Sequence, residues 1–236
     1  MPLAAHGVTH SGRRRTNEDS MLVDEDLGLF VVADGMGGHN AGEVASAVAV
    51  RTLHDFIIQA DSASEETLMR GFSVANDEVL AMAGSEPDYV GMGTTVVAAM
   101  IRGAQLVFGN VGDSRIYYWH AGVLTQLTHD DSWVSRVLPA TVATAEEAQR
   151  HPMRHVLTKV VGLREDMEPA VGTHAFAPGD VLVLCSDGLH GTLPDRRLAE
   201  TIRNASGVKE IAQRLVDQAL EAGATDNITV VAVRHE

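Results

Sequence analysis

Apolar residues are spread unevenly along the chain. Residues 29–33 (Leu-Phe-Val-Val-Ala) and 181–185 (Val-Leu-Val-Leu-Cys) are apolar throughout, and 228–233 is interrupted only by Thr229. Runs of this length, rich in β-branched residues and bounded by turn formers, read as buried strands. Three more strand-like runs cover 94–101, 105–109 and 115–120, and a weaker, mixed one covers 20–27. The breaks at Arg102-Gly103-Ala104 and between Gly109 and Ser114 read as hairpin turns. Elsewhere the apolar positions recur with helical spacing. Val44, Ala45, Val48, Ala49, Leu53, Phe56 and Ile57 share one face, as do Leu68, Phe72, Ala75, Val79 and Met82. A third stripe runs through Val208, Ile211, Ala212, Leu215, Val216, Ala219 and Leu220, with Gly223 as its expected stop.

The order is therefore strands, two helices, a strand meander, then strand, helix and strand. Strands do not alternate regularly with helices, which argues against a doubly wound parallel sheet. The expected architecture is α+β: two antiparallel sheets packed face to face, with helices on the outside. Residues from about 131 to 162 interrupt this order with a polar, irregular stretch, including an acidic helix start at Thr144-Ala145-Glu146-Glu147 and then His151-Pro152. An insertion of this kind reads as a flap over a binding site. The 236 residues fit one domain, 1–236, better than two small ones.

Composition narrows the functional classes. No apolar stretch approaches the ~18–20 residues that span a bilayer, and the N-terminal segment lacks signal-peptide order. One cysteine, Cys185, suits a reducing compartment and sits in an apolar run as packing. Position 191 is Gly, so the arginine of a cysteine-nucleophile phosphatase loop is missing. The formal net charge of −14 disfavours nucleic acid and anionic membranes as partners. A soluble, cytoplasmic monomer is expected.

The chemistry lies at the ends of the apolar runs. The runs at 29–33 and 181–185 lead into Asp34-Gly35 and Ser186-Asp187-Gly188, and Asp226-Asn227 precedes the last one. Each acid alone reads equally well as a turn former or helix cap. Three of them, at strand ends far apart in sequence, suggest a converging oxygen-rich site for hard divalent cations. Gly35, by allowing a tight turn, offers a backbone carbonyl as a further ligand. Asp113, in Asn110-Val111-Gly112-Asp113-Ser114-Arg115, is a fourth candidate. Carboxylate and carbonyl donors favour Mg²⁺ or Mn²⁺ over zinc. Two such ions ~3.5–4 Å apart activate water for in-line attack on phosphorus, with no protein nucleophile. Arg13, Arg14 and Arg15 offer a guanidinium fork for phosphate, and Glu18 and Asp19 are placed to hold water around the ions or to orient the arginine. His39, close to Asp34 in sequence, suits protonation of a leaving alkoxide.

With these residues in hand, the chain resembles the PPM-type metal-dependent serine/threonine phosphatases, the protein phosphatase 2C family, in their compact bacterial form. The resemblance rests on Arg14-Arg15-Thr16-Asn17-Glu18-Asp19-Ser20, Val32-Ala33-Asp34-Gly35-Met36-Gly37-Gly38-His39, Gly91-Met92-Gly93-Thr94-Thr95, Asn110 to Arg115, Ser186-Asp187-Gly188-Leu189 and Thr225-Asp226-Asn227-Ile228-Thr229, in that order over nearly the whole chain. It implies a four-layer αββα sandwich with two ions in a cleft at one end. Asp34 would bridge the ions, Gly35 would add its carbonyl, and Asp187 and Asp226 would complete the centre. Asp113 would hold a weaker third ion with Asp187, Arg14 would grip phosphate, and His39 would be the general acid. Asn227 would support the centre from outside, with Glu18 and Asp19.

The pattern departs from the family in places. The spacing from Gly12 to Asn17 is one residue short, which leaves Arg13 and Arg15 open as alternatives to Arg14. The usual Asp-His-Ser is here Asp130-Asp131-Ser132, and the flap is not the commonest version.

The expected function is metal-dependent hydrolysis of phosphoserine and phosphothreonine in proteins, with a serine/threonine kinase and its substrates as partners. The rival is a catalytically weak phosphatase-like module that binds phosphoproteins.

Overall fold

The computed structural model describes residues 2–37, 41–137, 151–153 and 155–236. His39 and the helix start expected at 144–147 lie outside these residues. In chain order the strands are β1 (Leu3–His10), β2 (Asp19–Asp24), β3 (Leu29–Met36), β4 (Gly93–Thr94), β5 (Val96–Arg102), β6 (Gln105–Val111), β7 (Arg115–His120), β8 (Val123–Gln126), β9 (Ala170–Ala175), β10 (Val181–Cys185) and β11 (Ile228–His235). The helices are α1 (Ala41–Ile58), α2 (Glu65–Ser85), α3 (Trp133–Val137), α4 (Asp187–His190), α5 (Asp195–Asn204) and α6 (Val208–Glu221). A five-stranded sheet has the order β1-β11-β10-β7-β8, and a second sheet has the order β2-β3-β5-β6-β9 with β4 added beside β3. Every recorded strand pairing is antiparallel.

The uninterrupted apolar runs follow from the layering. Along β3, Leu29, Val31 and Ala33 face α1 and α2, while Phe30 and Val32 face the other sheet. Along β10, Val181, Val183 and Cys185 face α5 and α6, while Leu182 and Leu184 meet Phe30 and Val32 in the central layer. Both faces of these strands are dry, so the polar half of the usual alternation is lost. Burying such a side chain fully contributes ~1.5–3 kcal/mol. Burial also pushes the Cys185 thiol pKa far up, which leaves it as packing. The helix stop expected at Gly223 is present: α6 ends at Glu221, and Gly223 takes φ +90°.

One expectation fails. The segment from Gly109 to Ser114 is not a hairpin, because β6 and β7 belong to different sheets. Gly112, at φ +98°, carries the chain across the sandwich. Two antiparallel sheets must exchange chain somewhere, and a glycine turn does so in the least length. The run expected at 94–101 is also divided: Thr95 separates β4 from β5.

Antiparallel pairing decides where the acids meet. His10 pairs with Ile228 and Cys185 with Val230, so β1 and β10 end where β11 begins. Arg115 pairs with Cys185, which puts the start of β7 there too. In the other sheet Asp19 pairs with Asp34, and Val96 pairs with Val111. The crossover at 112–114 joins the two sheets at this same end.

Candidate metal centre

At this end a cleft of about 460 Å³ is lined by Arg14, Glu18, Asp34, Gly35, Asp113, Asp187, Asp226 and Asn227, among others. Asp34 comes from the end of β3, Asp187 from the first turn of α4 after β10, Asp226 from the loop before β11, and Asp113 from the crossover. The flanking glycines let these segments close up. A Cβ on Gly35 would lie 2.0 Å from the Gly42 carbonyl oxygen, and one on Gly188 would lie 2.0 Å from that of Asn227. Gly35 therefore serves close backbone approach rather than the tight turn expected from the sequence.

Thr95 fixes Asp34. The Asp34 N–H donates to Thr95 Oγ1 at 3.1 Å, and the Thr95 N–H donates to the Asp34 carbonyl at 2.9 Å. Thr95 Oγ1 also meets Ser114 Oγ at 2.7 Å, tying β3 to the crossover. His190 holds the crossover from below: its ring Nε2–H donates to the Asp113 carbonyl at 3.0 Å. Burial lowers the His190 pKa to about 3, so the ring is neutral at pH 7.

Asp19 lies beneath the cleft, 8% exposed. Its Oδ2 accepts from Ser186 Oγ at 2.8 Å and Thr229 Oγ1 at 2.6 Å. Thr229 in turn accepts from Thr9, and Thr9 from Asn17, so donors are relayed inward to the acid. Asp19 Oδ1 has no partner among the described residues. Asn227 is a staple. Its Oδ1 accepts the Glu18 N–H at 2.8 Å, and its Nδ2 donates to the Ser11 and Thr16 carbonyls at 3.0 and 2.9 Å. These bonds fasten the arginine loop to the Asp226 turn. Of the three arginines, Arg14 lines the cleft, and its Nη2 donates to Asp226 Oδ2 at 2.8 Å.

The acids are crowded and poorly hydrated. Burial, reinforced by Asp19, Asp187, Asp113 and Asp226, raises the Asp34 pKa well above its ordinary range. Burial and then Asp187 push Asp113 up to about 8. Burial pushes Asp19 up to about 7, against the hydroxyl hydrogen bonds. Asp187 is raised by burial and then by Asp226. Such a cluster lacks positive charge, and the donors are oxygens, as Mg²⁺ and Mn²⁺ require. Among the described residues no three His, Cys, Asp or Glu side chains already close around a point, and Asp226 is turned to Arg14. The residues fit a pair of hard cations once that ion pair opens.

The sequence reading missed the supporting hydroxyls Thr9, Thr95, Ser114, Ser186 and Thr229, and gave His190 no role. All of these hydroxyls but Thr9 stand in the phrases that carry the family resemblance, which was the signal that could have found them. His155, also given no role, lines the cleft and lies close enough to Asp187 to lower its pKa.

Comparison with known proteins agrees with this geometry. The family model described as protein phosphatase 2C matches residues 6–228. The serine/threonine phosphatase stp of Listeria monocytogenes is 38% identical over 97% of this chain and 94% of its own. The crystal structure of the Mycobacterium tuberculosis serine/threonine phosphatase PstP/Ppp superposes with a TM-score of 0.92 at 34% identity, covering all of both chains. A structure of the PstP catalytic domain in complex with two manganese ions gives a TM-score of 0.90 at 33% identity, over 99% of this chain and 98% of that one.

Proposed function

The chain belongs to the protein phosphatase 2C family, and we propose that it hydrolyses phosphoserine and phosphothreonine in proteins with the help of two Mn²⁺ or Mg²⁺ ions. The observation that carries this reading is the meeting of Asp34, Asp113, Asp187 and Asp226 with Arg14 in one cleft. Asp34 would lie between the ions, with the Gly35 carbonyl, Asp187 and Asp226 completing their ligands and Asp113 reserved for a weaker third ion. Bound there, the ions supply an activated water at neutral pH and positive charge for the phosphoryl oxygens.

The protein groups do the rest. Arg14, 58% exposed and held by a single carboxylate, is free to leave Asp226 and take a phosphate oxygen pair. Asp19, beneath the cleft, and Glu18, in its lining, would hold water around the ions or orient Arg14. His39 is proposed to protonate the departing serine or threonine alkoxide, on the resemblance and on its position five residues after Asp34. Residues 1–236 would act as one catalytic domain, with the 131–162 segment as a flap over the cleft. Of that segment, the described part bridges Ser132 to Leu157 and Thr94 to Val161.

The proposed partners are a serine/threonine kinase and the proteins it phosphorylates, and the proposed setting is the cytoplasm, as a monomer. A single cysteine, Cys185, buried and free, supports a reducing compartment, and the acidic charge disfavours nucleic acid and anionic membranes as partners. No helix among the described residues is long and apolar enough to cross a membrane.

The test is hydrolysis of p-nitrophenyl phosphate and of a phosphothreonine peptide with Mn²⁺, with and without EDTA. Turnover abolished by EDTA supports the enzyme. Peptide binding without turnover in Mn²⁺ returns the binding module. In the same assay Arg14→Ala is expected to raise KM for the phosphopeptide about tenfold or more while Mn²⁺ affinity holds. An unchanged KM would transfer phosphate binding to Arg13 or Arg15.

A further inference from the structure

We propose that His155 is a second phosphate-binding residue, donating a ring N–H to a phosphoryl oxygen of the substrate alongside Arg14. This rests on the phosphatase reading above and brings the 131–162 segment into the site itself.

A phosphate monoester presents three terminal oxygens, and a guanidinium fork takes two of them. Among the described residues that line the cleft, Arg14 and His155 are the two side chains able to carry positive charge. The lining also holds the hydroxyls of Thr95 and Thr225 and the amide of Asn227. Thr95 is engaged with Ser114, and the Asn227 amide with the Ser11 and Thr16 carbonyls. Thr225 offers only a neutral hydroxyl, whereas an imidazole keeps an N–H in either charge state. Burial and Asp226 raise the pKa of Asp187, and His155 and Arg14 are both close enough to oppose that rise. Asp187 is a proposed ion ligand, so a phosphoryl group on that ion would lie within reach of both side chains.

Backbone bonds fix where His155 stands. The bridge between Ser132 and Leu157 is closed by Trp133 N–H to the Val156 carbonyl and Thr158 N–H to the Asp131 carbonyl, both at 2.7 Å. Side chains alternate along such a segment, so His155 and Leu157 share a face, and both line the cleft. The partner segment is tied to the crossover that carries Asp113. Asp131 N–H donates to the Gly112 carbonyl at 2.8 Å, and Asp131 Oδ2 accepts the Gly112 N–H at 3.2 Å. The nearby cation Lys159 is paired with Asp131 Oδ1 at 3.4 Å. Hydrogen bonds therefore lead without a break from the residue before Asp113 to the residue after His155. An exposed side chain on backbone held this way meets a ligand with little ordering cost.

The experiment is steady-state kinetics in Mn²⁺ for wild type, His155→Ala and His155→Gln. The substrates are p-nitrophenyl phosphate and a phosphothreonine peptide, with inorganic phosphate as competitive inhibitor. His155→Ala is expected to raise KM for both substrates, and Ki for inorganic phosphate, by about tenfold or more, with kcat within about threefold. That is the effect of losing a hydrogen bond to a charged group present before and during the reaction. His155→Gln keeps an N–H at similar reach and should stay within about threefold of wild type on all three. Mn²⁺ affinity, measured by calorimetry, should hold in both variants. An unchanged KM and Ki in His155→Ala overturn the inference and leave the phosphatase reading standing. A loss confined to the peptide does the same, placing His155 against the peptide or the leaving oxygen, and so does a loss of Mn²⁺ affinity. No turnover of any substrate by wild type overturns the phosphatase reading, and the inference with it.

Discussion

Asp34→Ala is expected to reduce p-nitrophenyl phosphate hydrolysis by at least ~10³-fold, with Asp187→Ala close behind, since each removes a carboxylate that would hold the ions supplying the activated water and the positive charge for the phosphoryl oxygens. Loss of a catalytic side chain is often confused with loss of fold, and here the two separate cleanly. In the metal-free protein Asp34 is a buried acid surrounded by Asp19, Asp187, Asp113 and Asp226. Asp34→Asn keeps the volume and removes the repulsion, so the metal-free variant should melt higher than metal-free wild type. Far-ultraviolet circular dichroism on melting, paired with the activity assay, checks both halves. A variant that is inactive because it melts several degrees lower would show that Asp34 is structural; full activity would remove it from the centre.

The second large effect is on stability against pH. Asp19 and Asp113 titrate near 7 and 8 in the folded protein, against about 4 in an unfolded chain, and Asp34 and Asp187 shift in the same direction. The folded state therefore holds the extra protons through this interval. As far as these groups decide it, stability is greatest below about pH 4 and falls as pH rises to about 8. The coupled acids together amount to a few kcal/mol, so the metal-free Tm should drop by about 5–10 °C between pH 5 and pH 8. Millimolar Mn²⁺ should remove most of that drop, because ions held by the carboxylates stabilise the charged form. Differential scanning calorimetry at several pH values, with EDTA or Mn²⁺, measures it. A metal-free Tm that rises over this interval would mean that the acids are not crowded.

What the sequence did and did not reveal follows from the layers. Runs buried on both faces, such as 29–33 and 181–185, announced themselves. Three of the strands it missed, β1, β8 and β9, are sheet edges in the observed order, and the fourth edge, β2, was legible only as a mixed run. Edge strands are half wet: β8 alternates exposed and intermediate positions, and β9 is mostly exposed, so neither shows a buried pattern. Helix α5 was missed because only Leu198, Thr201 and Ile202 of its ten residues are buried.

The meeting of Asp34, Asp113, Asp187 and Asp226 in one cleft was legible as well. Metal-type acids must follow particular strand ends, and Asp-Gly pairs after apolar runs are conspicuous. The hydroxyl relay to Asp19 was illegible, since serine and threonine near turns have many uses. The change of sheet at Gly112 was hidden for a related reason: a glycine turn between strands looks the same whether the chain returns to its own sheet or crosses to the other.

The most direct measurement is anomalous diffraction from a crystal grown in Mn²⁺. Two manganese peaks are expected in the cleft, with Asp34 between them, Asp187 and Asp226 completing their ligands, and Arg14 released from Asp226. Manganese elsewhere on the surface, with the Arg14–Asp226 pair intact and the cleft holding only water, would contradict the account.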